Sequence, residues 1–303
     1  MTYWSKGAAW MRGEVIPIEE AKIGVTDWGL THSDITYDVV SVWDGAFFRL
    51  EEYLTRFEAS MATLRLDVGM TRDEMRAALS EMTARSGLRH AYCAMVASRG
   101  APLIPGTRDP RQCGNHFYAW VVPYIYVIPK EVADKGATLW IGKDVQRIPD
   151  NSVNPRAKNY HWGDFTQALF QAKDEGFDTA AVLDNADNVT EGPGFNIFAV
   201  KDGKLITSDH GVLEGITRRT VMEIASELGI SVDVRPLPLR EFMEADEVFL
   251  ATTGGGLTPI RRVDDRIFSN DAPGPVTLSL REAFYAFRKR PEHLTAIPFP
   301  ETT

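Results

Sequence analysis

A chain of 303 residues is longer than one hydrophobic core usually serves, so two domains are expected. With 44% hydrophobic and 25% charged residues it reads as an ordinary folded chain, and a net charge of −9 argues against nucleic acid or an anionic membrane as partner, since both are bound by clustered Lys and Arg. Cys93 and Cys113 make neither a disulfide framework nor a zinc pattern, no run reaches the roughly 18 apolar residues of a membrane span, and the N-terminus lacks a signal peptide, so a cytoplasmic protein without metal is expected.

In chain order, the first third alternates strands and helices. Two β-rich runs flank Asp44-Gly45 in "TYDVVSVWDGAFFRL", a hairpin signal. Leu50, Tyr53, Leu54, Phe57, Met61 and Leu64 recur at spacings of three and four, which predicts an amphipathic helix. Thr71 with Glu74 three residues on is a capping box that opens a second helix. "RHAYCAMVASRG" and "NHFYAWVVPYIYVIP" read as strands joined by a Pro/Gly-rich loop. The text changes at "YVIPKEVADKG", which places a small domain over 1–126, a linker over 127–136 and a larger domain over 137–303. That second domain opens with a strand in "GATLWIGKDV" and a helix in "WGDFTQALFQAKDEGF". A meander of short strands follows from Thr179 to Ser208, then a helix in "TRRTVMEIASELGI" closed by Gly229. "EADEVFLATTGGGLTPI" is a strand running into a glycine loop, and "VTLSLREAFYAFRK" is a last helix.

Four segments carry candidate chemistry. Lys158 stands in "NPRAKNYHWGD", beside Tyr160, His161 and Trp162. A lone lysine is ordinarily solvated, but one held among aromatic groups has its charged form disfavoured and becomes a nucleophile for a carbonyl. Glu191 meets Gly192, Pro193 and Gly194 at a strand end, where it is either a solvated loop residue or a carboxylate facing a cleft. "GVLEGITRRT" puts Gly215, Ile216 and Thr217 at a helix start, either a plain N-cap or an anion site. "LATTGGGLTP" offers Thr252, Thr253 and flexible backbone, with neither the Walker lysine spacing nor the dinucleotide fingerprint.

The order Arg56, Lys158, Glu191, "GITR" and "ATTGGG" resembles the fold-type IV pyridoxal-phosphate enzymes over roughly Ser5 to Arg290. This group includes branched-chain and D-amino-acid aminotransferases, and "HSDITYDVVSVWDG" with "KNYHWGD" is most similar to its (R)-selective amine transaminases. The resemblance implies a two-domain α/β (α+β) fold like that of D-amino-acid aminotransferase, and a homodimer with its active site near the interface. It implies pyridoxal 5'-phosphate as cofactor, with Lys158 forming the Schiff base and moving a proton as base and acid, and Glu191 keeping the pyridine nitrogen protonated. Arg56, Ile216, Thr217, Thr252 and Thr253 would hold the phosphate, and Leu213 would pack on the ring.

His32, Tyr37, Val39, Tyr92, Ala94, Arg108 and Trp162 match substrate positions, with Ala94 expected to widen the pocket. Pro105 stands about where relatives carry an arginine for the acceptor carboxylate, with Arg108 close by. The implied reaction moves an amino group from an (R)-amine to a keto acid such as pyruvate. The alternatives are a branched-chain or D-amino-acid aminotransferase, an aminodeoxychorismate lyase-like enzyme, and a binding protein that keeps the fold without catalysis.

Overall fold

The computed structural model describes Trp4 and residues 6–300, which divide into two compact units. The first holds the chain up to Ile125, the segment Ala157–Tyr160 and the chain from Pro291 on; the second holds Tyr126–Arg156 and His161–Arg290.

The first unit is an antiparallel sheet. Its strands are β1 (Ala8–Met11), β2 (Glu14–Pro17), β3 (Ile35–Trp43), β4 (Ala46–Phe48), β5 (Ala91–Ser98) and β6 (His116–Pro123), with Leu294–Ala296 as a further strand. They lie in the order Leu294–Ala296, β4, β3, β5, β6, β1, β2. The β3–β4 turn is Asp44-Gly45 at φ 49° and 82°, the left-handed pair a tight hairpin needs. Arg12-Gly13 does the same for β1–β2 at φ 56° and 88°, although Arg rarely signals such a turn. A short helix, α1 (Trp28–Thr31), precedes β3. Helix α2 (Leu50–Leu64) buries Leu50, Tyr53, Leu54, Phe57 and Met61. Helix α3 (Arg72–Ser86) starts at the Thr71–Glu74 capping box and stops at Gly87, whose φ is 73°. Beside the start of β3, Thr36 bridges Asn159, so the segment Ala157–Tyr160 runs antiparallel to it.

The second unit is a mixed sheet. Within "YVIPKEVADKG" it forms one helical turn, α4 (Lys130–Ala133), started by Pro129. Strand β7 (Ala137–Gln146), helix α5 (Gly163–Asp174) and strand β8 (Thr179–Leu183) follow, with β7 and β8 parallel. The expected meander from Thr179 is therefore only partly present: α5 carries the chain across to a parallel partner, and antiparallel pairing begins later. Strands β9 (Glu191–Gly192), β10 (Phe195–Lys201) and β11 (Lys204–Thr207) make that antiparallel part. Then come α6 (Ile216–Glu227), β12 (Val232–Val234), α7 (Leu239–Met243), β13 (Glu247–Thr252), β14 (Gly256–Val263), β15 (Arg266–Ile267) and α8 (Pro275–Phe287). The sheet order is β12, β11, β10, β13, β14, β7, β8, around a core that includes Leu139, Ile141, Phe195, Leu250 and Ile260.

Candidate active site

In the first unit, strand register assembles an aromatic face. Opposite residues on β3, β5 and β6 form rows: Tyr37, Val96 and Tyr118; Val39, Ala94 and Trp120; Ser41, Tyr92 and Val122. Side chains alternate along a strand, so all of these share one side of the sheet. Tyr37, Val39 and Ala94 are in one buried cluster, with Tyr92, Tyr118, Trp120 and Tyr160 packed on it. No lysine or arginine stands in these rows. Ala94, 0% exposed, is itself a member of this cluster.

Lys158 meets this face through its own strand segment. Its carbonyl accepts from Thr36 Oγ1 at 2.6 Å and from Tyr37 N at 3.2 Å. These bonds bring Lys158 Nζ to 4.5 Å from the Tyr37 ring centroid, while the Tyr160 ring stacks on Tyr37 at 4.3 Å. Burial pushes the Tyr160 phenol above its usual range, so it stays a neutral donor. Arg56 reaches the other side of β3: its Nε and Nη2 grip Asp38 at 2.8 Å and 2.7 Å. Those two nitrogens are spent on a fully buried carboxylate. Asp27 is buried too, and burial acts to raise its carboxyl. Hydrogen bonds from Ser98, His116 and Gly29 outweigh it and hold the group below the usual range.

His32 is exposed, its ring 4.5 Å from that of Trp28. Arg108 is exposed in the loop after β5, with no hydrogen-bond or ion-pair partner among the described residues.

In the second unit, Glu191 is 6% exposed and held on three sides. Pro193-Gly194, with φ 84° at Gly194, turns β9 back along β10 and sets Glu191 opposite Asn196. Glu191 Oε2 accepts from Leu213 N at 2.9 Å and Asn196 Nδ2 at 3.3 Å, and Oε1 from Arg147 Nη2 at 3.1 Å. Asn196 Nδ2 also donates to the Leu213 carbonyl at 2.8 Å. Arg147 in turn binds Asp164 at 2.7 Å. Arg147, Asp164 and Asn196 are absent from the sequence-derived site. Asp164 lies inside the lysine motif quoted above and Asn196 just past the Glu191 turn, but nothing local marks their partners.

Close to Leu213, Gly215 caps α6 without any side-chain bond, and the N–H groups of Ile216 and Thr217 have no acceptor among the described residues. A Cβ on Gly215 would lie 2.2 Å from Asn196 Oδ1, so any larger residue there must displace the Asn196 side chain. Uncapped N–H groups at a helix start beside a fixed carboxylate make a donor set for a phosphate and an acceptor for a protonated ring nitrogen. Thr252 Oγ1 donates to the Gly194 carbonyl at 2.7 Å, so its proton is committed to the backbone. Thr253 is half-buried in the following turn. Trp162 lines an apolar cavity of about 270 Å³ with Phe165, Leu169, Phe170 and Pro193.

The family model for amino-transferase class IV matches residues 36–263. A Methanocaldococcus jannaschii protein assigned as a branched-chain-amino-acid aminotransferase is 33% identical over 93% of this chain and 96% of its own. The branched-chain-amino-acid aminotransferase of Escherichia coli strain K12 is 27% identical over 91% of each. Among solved structures, the branched-chain amino acid aminotransferase from Thermobaculum terrenum in its PLP-bound form is 28% identical, with TM-score 0.85 over 96% of this chain and 98% of that one. The chain belongs to the class IV aminotransferases. It has their mixed fold, and its cofactor is pyridoxal 5'-phosphate. The α6 start and Glu191 fit that group, one by its phosphate and one by its ring nitrogen.

Proposed function

We propose that this aminotransferase takes the amino group of an (R)-amine bearing an apolar substituent and delivers it to a keto acid such as pyruvate, working as a homodimer. The observation that carries the reading is the aromatic face of Tyr37, Tyr92, Tyr118 and Trp120, whose rows hold no lysine or arginine to receive an α-carboxylate. An amine carries no carboxylate to be held; an amino acid needs a dedicated cationic or hydroxyl-rich pocket for one in every half-reaction.

When bound, pyridoxal phosphate supplies an electron sink for the carbon that loses its proton. Lys158 Nζ would take that proton and return it to C4′ of the cofactor, across the nitrogen, acting as base and then acid. Tyr37 holds Nζ near its ring while it is charged. Glu191 keeps the pyridine nitrogen protonated. Ile216, Thr217 and Thr253 would hold the phosphate, and Leu213 would lie against the ring. Tyr37, Val39, Tyr92 and Ala94 sort the amine substituents. Arg108 receives the keto-acid carboxylate.

A second reading, a branched-chain amino acid aminotransferase, is favoured by the relatives, which carry that name at 33% and 28% identity. Single-turnover reactions separate the two. The proposal expects (R)-1-phenylethylamine to convert the bound cofactor much faster than its mirror image and faster than L-leucine or L-isoleucine. Equal rates for the two enantiomers, or a clear preference for L-leucine, would overturn it.

A further inference from the structure

The polar network around Glu191 contains a second carboxylate that no step above uses. Arg147 divides its guanidinium between two acids: Nη1 lies 2.7 Å from Asp164 Oδ2 and Nη2 lies 3.1 Å from Glu191 Oε1. Its Nε donates to the Gly211 carbonyl at 3.2 Å, and the guanidinium lies 4.4 Å from the Phe165 ring centroid. Side-chain exposure is 8% for Arg147, 4% for Asp164 and 8% for Glu191, so little water screens these charges. Asp164 is itself fixed, because Oδ2 also accepts from Ile148 N at 3.1 Å and Oδ1 from Phe165 N at 2.8 Å.

The cluster carries one net negative charge: two carboxylates around one guanidinium. A protonated pyridine nitrogen beside Glu191 would bring it to neutrality. Without Asp164 the same proton would leave a buried positive charge, and Arg218, whose buried guanidinium also feels Glu191, would add to it. The other charged groups near Arg218 are Asp209 and Glu214, which act on it more strongly than Glu191 does. A carboxylate given a whole guanidinium also loses proton affinity.

We propose that Asp164 is a positioning residue: by taking one nitrogen of Arg147 it leaves Glu191 a shared cation, and so keeps Glu191 basic enough to hold the proton on the pyridine nitrogen. This rests on the assignment of Glu191 to that nitrogen. The test is a pH titration of the bound cofactor's absorbance in wild-type, Asp164→Asn and Glu191→Gln holoenzymes, with kcat and KM alongside. Asp164→Asn is expected to move the spectroscopic midpoint down by on the order of one unit. At pH above the new midpoint it is expected to lower kcat about tenfold, with little change in KM. A wild-type midpoint and kcat in Asp164→Asn, with only thermal stability lowered, would show that Asp164 merely anchors Arg147. Should the Asn variant fail to fold, Asp164→Ser decides by the same titration. If Glu191→Gln keeps the wild-type midpoint and turnover, the assignment of Glu191 itself fails, and this proposal falls with it.

Discussion

Replacing Gly215 by alanine tests the anion site at the start of α6 with a single methyl group. Gly215 sits at φ −63° and ψ 136°, which alanine adopts without strain, so any effect is steric. The added Cβ would lie 2.2 Å from Asn196 Oδ1, and the two must part by most of an ångström. Asn196 is 5% exposed and has little room to yield. Its amide supports both Glu191 and the Leu213 carbonyl, and moving it weakens two hydrogen bonds. At about 1 kcal/mol each the loss is about 2 kcal/mol. Carried into cofactor binding, that is about a 30-fold rise in Kd. Titrating apo-protein with pyridoxal phosphate, with a thermal melt beside it, reads both quantities. Unchanged affinity with α6 intact by circular dichroism would refute the argument that Gly215 and Asn196 shape the phosphate end of the site.

Glu191→Gln should retain cofactor yet lose most turnover, by the order of 2.7–4 kcal/mol of barrier typical of one preorganised electrostatic contact; near wild-type kcat would leave Glu191 as a structural carboxylate. Asp27 is held below its ordinary 3.8, so its contribution to stability is present above that pH and fades as pH falls through the lower folded value. Acid denaturation of wild type and Asp27→Asn should accordingly converge only below 3.8 and keep a constant gap above it; a gap that widens toward low pH would reverse the sign. Burial pushes the Cys93 thiol up to about 12, so iodoacetamide at pH 8 should leave it unmodified in the native protein and alkylate it after denaturation. Rapid native labelling at Cys93, mapped by peptide mass, would contradict its packing.

What the sequence displayed was local. Asp44-Gly45, the Thr71–Glu74 box and the apolar positions of α2 each state their structure within a few residues, and the fold has them as read. Interactions between distant segments were not legible. Arg147 and Asp164 are separated by the whole lysine segment, and no spacing rule pairs a strand-end arginine with an acid on the next helix. The Ala157–Tyr160 segment joins the sheet of the first unit through Thr36, although every neighbour along the chain lies in the second. The Thr252 hydroxyl donates to the Gly194 carbonyl, a pairing set by how the Pro193-Gly194 turn meets the end of β13 and marked by no local spacing.

The central claim is that Lys158 carries the cofactor and moves the proton. Borohydride reduction of the holoenzyme, followed by proteolysis and mass mapping, tests it most directly. The account predicts a pyridoxyl group on Lys158 Nζ, and a Lys158→Ala protein that takes up no covalent label and transfers no amino group. A label on any other lysine, or full transamination by Lys158→Ala, would contradict it.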